Sequence, residues 1–75
     1  MKISDLQYKT IININDGKEI GKISDLEINE TGMVINFYAL QSKFFLKLFS
    51  SNRETVFKME DIKKIGEDVI LVQIN

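Results

Sequence analysis

At 75 residues the chain has room for one domain only, and a domain this short buries about 60% of the surface that its unfolded form exposes. It has neither cysteine nor histidine, which removes disulfides, thiolate and imidazole metal sites and the commonest general base. Ten basic residues against eleven acidic ones, a net charge of −1, argue against a general nucleic-acid binder, and no apolar run approaches the roughly 18 residues of a membrane span.

The chain opens on Met1-Lys2-Ile3-Ser4-Asp5 with no apolar run behind it, so no secretory leader is expected and the cytoplasm is the expected compartment. Ser4-Asp5-Leu6-Gln7 reads as a Ser-x-x-Gln capping box that starts a single helical turn. A first strand is expected over 8–15, with Thr10, Ile12 and Ile14 on one face. Asn15-Asp16-Gly17-Lys18 then predicts a hairpin turn, Asp16-Gly17 suiting the two positive-φ positions of type I′. In the second strand, 19–29, Ile20, Leu26 and Ile28 share one parity and Ile23 takes the other. That slip predicts a bulge within 22–25, eased by Gly21, with the Asp25 carboxylate accepting N–H groups that the irregular ladder leaves over.

Asn29-Glu30-Thr31-Gly32 predicts the next turn, with Gly32 in the left-handed region. The third strand, 33–40, is apolar on both faces and reads as a central strand. Further strands are expected over 54–59, 62–65 and 69–74, with a single turn at Glu60-Asp61 and a tight loop at Gly66-Glu67-Asp68. Six short strands favour a closed or nearly closed all-β sheet. The competing architecture is an α+β domain with 41–50 as a helix packed on an open sheet.

These residues carry a resemblance. Met1-Lys2-Ile3-Ser4-Asp5-Leu6, the stretch from Asp16-Gly17-Lys18-Glu19-Ile20-Gly21 to Ser24-Asp25-Leu26, the Glu30-Thr31-Gly32 turn and the ending Asp61-Ile62-Lys63-Lys64-Ile65-Gly66-Glu67-Asp68-Val69-Ile70-Leu71-Val72 follow one another as in PRC-barrel proteins of the YlmC/YmxH type. That family is described as sporulation-associated in Gram-positive bacteria. The resemblance implies one PRC-barrel domain over 1–75, a small six-stranded, partly open barrel with one or two single helical turns. It implies a non-enzymatic adaptor and supplies no catalytic residue, metal site or cofactor. The chain departs from the family at Phe57-Lys58-Met59, where an isoleucine-proline-tryptophan-like step is expected, and at Leu46, Ser50 and Ser51, where glycine is expected.

Candidate chemistry is sparse. The six carboxylates Asp16, Asp25, Glu27, Glu30, Asp61 and Asp68 have no metal-loop spacing, and several fall at turns that suit them structurally. Asp16, Gly17, Gly21, Asp25, Gly32 and Gly66 are therefore read as turn and bulge residues, and no catalytic residue is assigned. Tyr8 and Tyr38 read as barrel-rim residues with no base apparent beside them. The segment Lys43, Phe44, Phe45, Leu46, Lys47, Leu48 and Phe49 stands apart, since three of the seven aromatics fall within six positions. Between Lys43 and Lys58 four basic residues face one acid, Glu54, on a chain that is otherwise acidic. These side chains either fill the small core or form a hydrophobic patch rimmed by lysine. As a patch they predict a protein partner of unknown identity, with a homodimer as one form of it. The second choice is an anionic membrane surface. Neither nucleic acid nor a small-molecule substrate is expected.

Overall fold

A computed structural model describes residues 1–41 and 54–75. Its elements run α1 (Ile3–Gln7), β1 (Thr10–Asn13), β2 (Lys18–Ile28), β3 (Val34–Leu40), β4 (Thr55–Phe57), a 3-10 turn (Met59–Asp61), β5 (Ile62–Ile65) and β6 (Val69–Val72). All six described strands lie where β-branched and aromatic residues were expected to form them.

The strands make one sheet in the order β4-β3-β2-β1-β6-β5. Neighbours are antiparallel except β1 and β6, which run parallel from Thr10↔Val69 to Asn13↔Val72. Among the described residues the sheet is not closed, and β4 and β5 are its two edges. Yet these edges follow each other in the chain. Laid flat, six strands would set their edges roughly 24 Å apart. The link from Phe57 to Ile62 can span at most about 18 Å, less with a 3-10 turn inside it. The sheet must therefore curl, and an open barrel results.

Register slips supply the bending. Ile23 faces Ala39 and Asp25 faces Tyr38, which leaves Ser24 as the extra residue, within the expected stretch. Others leave over Ile20 against β1, Ile35 against β2 and Lys63 against β6.

The core is small: Ile11, Ile23, Phe37, Ala39, Phe57, Ile70 and Val72, with Leu6, Ile20, Leu26, Val34, Ile62 and Ile74 packed against it. On β1 the core face is Ile11 and Asn13, so Thr10, Ile12 and Ile14 lie on the outer side, with Ile14 45% exposed. On β3 only the Phe37 and Ala39 face is buried; Val34, Asn36, Tyr38 and Leu40 are half-buried. The strand is central in pairing, with one buried face.

Local details differ from expectation at two places. The helical turn α1 starts two residues earlier than the Ser4 box predicts. Lys2 is its cap, and the Asp5 carboxylate accepts the Lys2 N–H at 2.8 Å. The 3-10 turn repeats this Lys-x-x-Asp device, Asp61 accepting the Lys58 N–H at 2.8 Å. The β1–β2 connection is a four-residue loop, Ile14 to Gly17, and Gly17 alone has positive φ (+71°). Its N–H donates to Asn13 O at 2.8 Å while Asp16 Oδ1 accepts the Lys18 N–H at 2.9 Å. A type I′ turn needs positive φ at Asp16 as well, which the longer loop makes unnecessary.

Candidate functional site

The predicted contact residues Lys43, Phe44, Phe45, Leu46, Lys47, Leu48 and Phe49 lie outside the described residues. The flanking strands fix where the segment is attached. It leaves after β3 and returns into β4, which pair side by side through Ala39↔Thr55.

β2, β3 and β4 present a polar outer face. The pleat alternates sides, so the residues that flank the core positions Phe37 and Phe57 point outward. Asn36 Nδ2 and Tyr38 Oη both donate to Glu27 Oε1, at 2.9 and 3.0 Å. Glu27 faces Asn36 across the ladder, and Tyr38 is the next residue on that side. Tyr38 thus has a carboxylate beside it that the sequence did not reveal. Ser24 Oγ lies 3.1 Å from both Tyr38 O and Glu54 Oε2, and its one proton goes to either. Asp25 Oδ1 accepts the Leu26 N–H at 2.8 Å next to the Ser24 bulge.

These contacts push the two titrating groups apart. The Asn36 amide and then the Tyr38 hydroxyl hold the Glu27 carboxyl below its ordinary value. The bond to Glu27, then burial and the charges of Glu27, Glu54 and Asp25, raise the Tyr38 phenol. A depressed folded-state pKa contributes stability that is present above the ordinary carboxylate value and is lost as pH falls through the folded one. Replacing Tyr38 by Phe removes one donor, so the Glu27 midpoint should move up. Carboxyl-carbon NMR titration reads this directly, and an unmoved midpoint would refute the bond's contribution.

A second feature lies at the end of the sheet where the β2–β3 turn meets the 3-10 turn. Val34, Ile35, Lys58, Met59 and Glu60 line a shallow open groove of about 450 Å³. Ile35 is 39% and Met59 52% exposed, and Ile28, paired with Val34, is 56% exposed. The groove was not legible beforehand, because Ile35 reads as one more residue of an apolar strand. Only the slip that leaves it over from the ladder turns it outward.

The remaining singled-out residues hold backbone in place. Gly21 is buried at φ +135° against the end of β3. Gly32 closes the β2–β3 turn at φ +87°, donating to Asn29 O at 3.0 Å. The Gly66 N–H donates to Val69 O at 2.7 Å, and Lys9 Nζ ties down Gly66 O and Glu67 O at 2.7 and 2.6 Å.

Asn13 was passed over in the sequence and is the one buried polar residue among those described. Its amide donates to Ile74 O at 2.9 Å and accepts Ile74 N–H at 3.2 Å. It thereby adds a rung to the β1–β6 ladder beyond Val72. Its oxygen also takes the Asn15 N–H at 3.2 Å. A lone Asn between two isoleucines was the available signal. Replacing Asn13 by Leu leaves the Ile74 and Asn15 N–H groups without their acceptor, while Ile74 O keeps the Asn15 amide at 2.9 Å, and should cost about 2 kcal/mol in urea unfolding; a change below about 0.5 kcal/mol would show that the rung adds nothing.

Among the described residues no three or more His, Cys, Asp or Glu side chains gather as metal ligands would, and no helix is long and apolar enough to cross a membrane.

Comparison with known proteins places these features in a lineage. The family model of the PRC-barrel domain matches residues 1–75. A probable sporulation protein of Bacillus subtilis, YlmC, is 38% identical over 76 aligned residues, covering 100% of this chain and 94% of the relative. An uncharacterised protein of Clostridium acetobutylicum is 33% identical over 70 aligned residues, covering 93% of this chain and 80% of the relative.

Proposed function

The chain belongs to the PRC-barrel domain family, and on that footing we propose that it is a non-enzymatic adaptor acting by contact with a protein partner. The observation that carries this reading is the exposure of large apolar side chains, Ile28, Ile35 and Met59, beside a shallow groove. Water penalises such exposure, and a contact relieves it. The polar groups of the outer face support the same reading. Glu27, Asn36 and Tyr38 bond to one another, and Asp25 bonds to the adjacent backbone, so they are engaged in holding the sheet. The Lys43–Phe49 stretch is aromatic and basic in composition and lies in the chain between two strands that pair. The sporulation name of the Bacillus relative suggests the process in which such an adaptor serves.

The test is capture from the native cell by wild type and by the double variant Phe45→Glu/Phe49→Glu. The reading predicts that the double variant keeps the β-sheet circular dichroism spectrum and loses the captured protein. Equal capture by both would remove the segment as the contact. Sedimentation of the wild type, but not of the variant, with anionic vesicles would favour a membrane surface instead.

A further inference from the structure

We propose that the groove is a self-association surface, occupied by the same face of a second copy of this chain across a two-fold axis. The inference rests on the reading of the chain as a contact module and names one of its partners. A two-fold contact joins a patch to itself, so residue i meets residue j and j meets i. The patch must therefore be self-complementary, and this one is. Its centre is apolar, with Ile35 and Met59 partly exposed, Val34 half-buried, and Ile28 beside it through its pairing with Val34. Its lining carries one cation and one anion, Lys58 and Glu60, on either side of Met59 in the chain and both exposed. Two copies related by a two-fold axis near Met59 bring Lys58 of each to Glu60 of the other.

Size fits as well. The four apolar side chains present on the order of 300 Å². A small reversible interface takes about 600 Å² from each partner, a little over half of it non-polar. Need points the same way. The chain has no cysteine, and among the described residues seven buried hydrophobic side chains form the core, so a second subunit is an available source of further burial.

Sedimentation equilibrium on the purified full chain tests this without any other partner present. The wild type should form a reversible dimer in the micromolar range. Lys58→Glu sets like charges against each other twice and should weaken the dimer about tenfold. The double swap Lys58→Glu/Glu60→Lys should restore it, because the pairing is then reversed and intact. Met59→Asp should weaken it on the order of a hundredfold. Circular dichroism confirms folding, and the charge variants, at exposed positions, keep the test open if Met59→Asp unfolds. A wild type that stays monomeric overturns the proposal. So does a dimer indifferent to Lys58→Glu, or one that the double swap weakens as much as the single change. Failure here leaves capture through Phe45 and Phe49 to be judged separately, since that is read in the cell with variants at other positions of the chain.

Discussion

Gly21→Ala should unfold the domain or lower its melting temperature by more than about 12 °C. A methyl group there is blocked twice. The backbone sits at φ +135°, which L side chains rarely adopt. An added Cβ would also overlap the Leu40 carbonyl and lie 2.7 Å from the Gln41 nitrogen. Those are main-chain atoms with no rotamer to turn away, so β2 and β3 would have to separate at Lys22↔Leu40. Strain and overlap together should cost about 3 kcal/mol or more. Total stability for this length is on the order of 4–11 kcal/mol, and each kcal/mol moves the melting point by roughly 4–8 °C. Gly17→Ala is the internal control. Gly17 has φ +71° with nothing within 4 Å of an added Cβ, so the backbone term acts alone and should cost about 1 kcal/mol. Differential scanning calorimetry of both variants decides the matter. Equal losses would mean that the close approach of β2 to β3 does not constrain position 21.

Phe57→Ala should cost about 3–5 kcal/mol, enough to leave much of the population unfolded at 37 °C. Phe57 is 1% exposed and stacks on Phe37 with ring centroids 5.3 Å apart and planes 13° from parallel. It also fastens the weakest strand. β4 has three residues and among the described strands pairs with β3 alone, through Phe37↔Phe57, Tyr38↔Val56 and Ala39↔Thr55. A strand this short gains little from its ladder, so the ring's burial holds it. The neighbouring Val56 is 48% exposed, and Val56→Ala should stay within about 0.5 kcal/mol. Urea unfolding of the pair gives the comparison. A Phe57→Ala loss below about 1.5 kcal/mol would mean that β4 is held by something other than its ring.

Strand number and order of turns were legible because they depend on local chemistry. Asn29 to Gly32 turns where its residues say it should, with Asn29 Oδ1 accepting the N–H groups of Thr31 and Met33 at 3.0 Å each. The bulge near Asp25 was readable because the apolar parity changes there. The buried face of β1 was not. Ile12 and Ile14 make the alternative face the more apolar, yet the core takes Ile11 and Asn13. The reason is tertiary: Asn13 is buried because its amide completes a backbone ladder with residue 74, sixty-one positions away. Distance along the chain also hid the Glu27–Tyr38 bond, which depends on a register that slips at Ile35. Both short helical turns were foreseen, but their caps were misplaced or missed, because a Lys-x-x-Asp start uses the Asp carboxylate alone where a Ser-x-x-Gln box uses two side chains.

Family membership fixes the fold, and what the domain touches is the claim to test. A photo-crosslinking amino acid placed at position 45 in the native cell, with one at the exposed β5 position Lys64 as control, reads the contact where it happens. The account predicts a protein adduct of discrete mass from position 45 that is absent from position 64. Lipid adducts alone from position 45, or identical adducts from both positions, would contradict it.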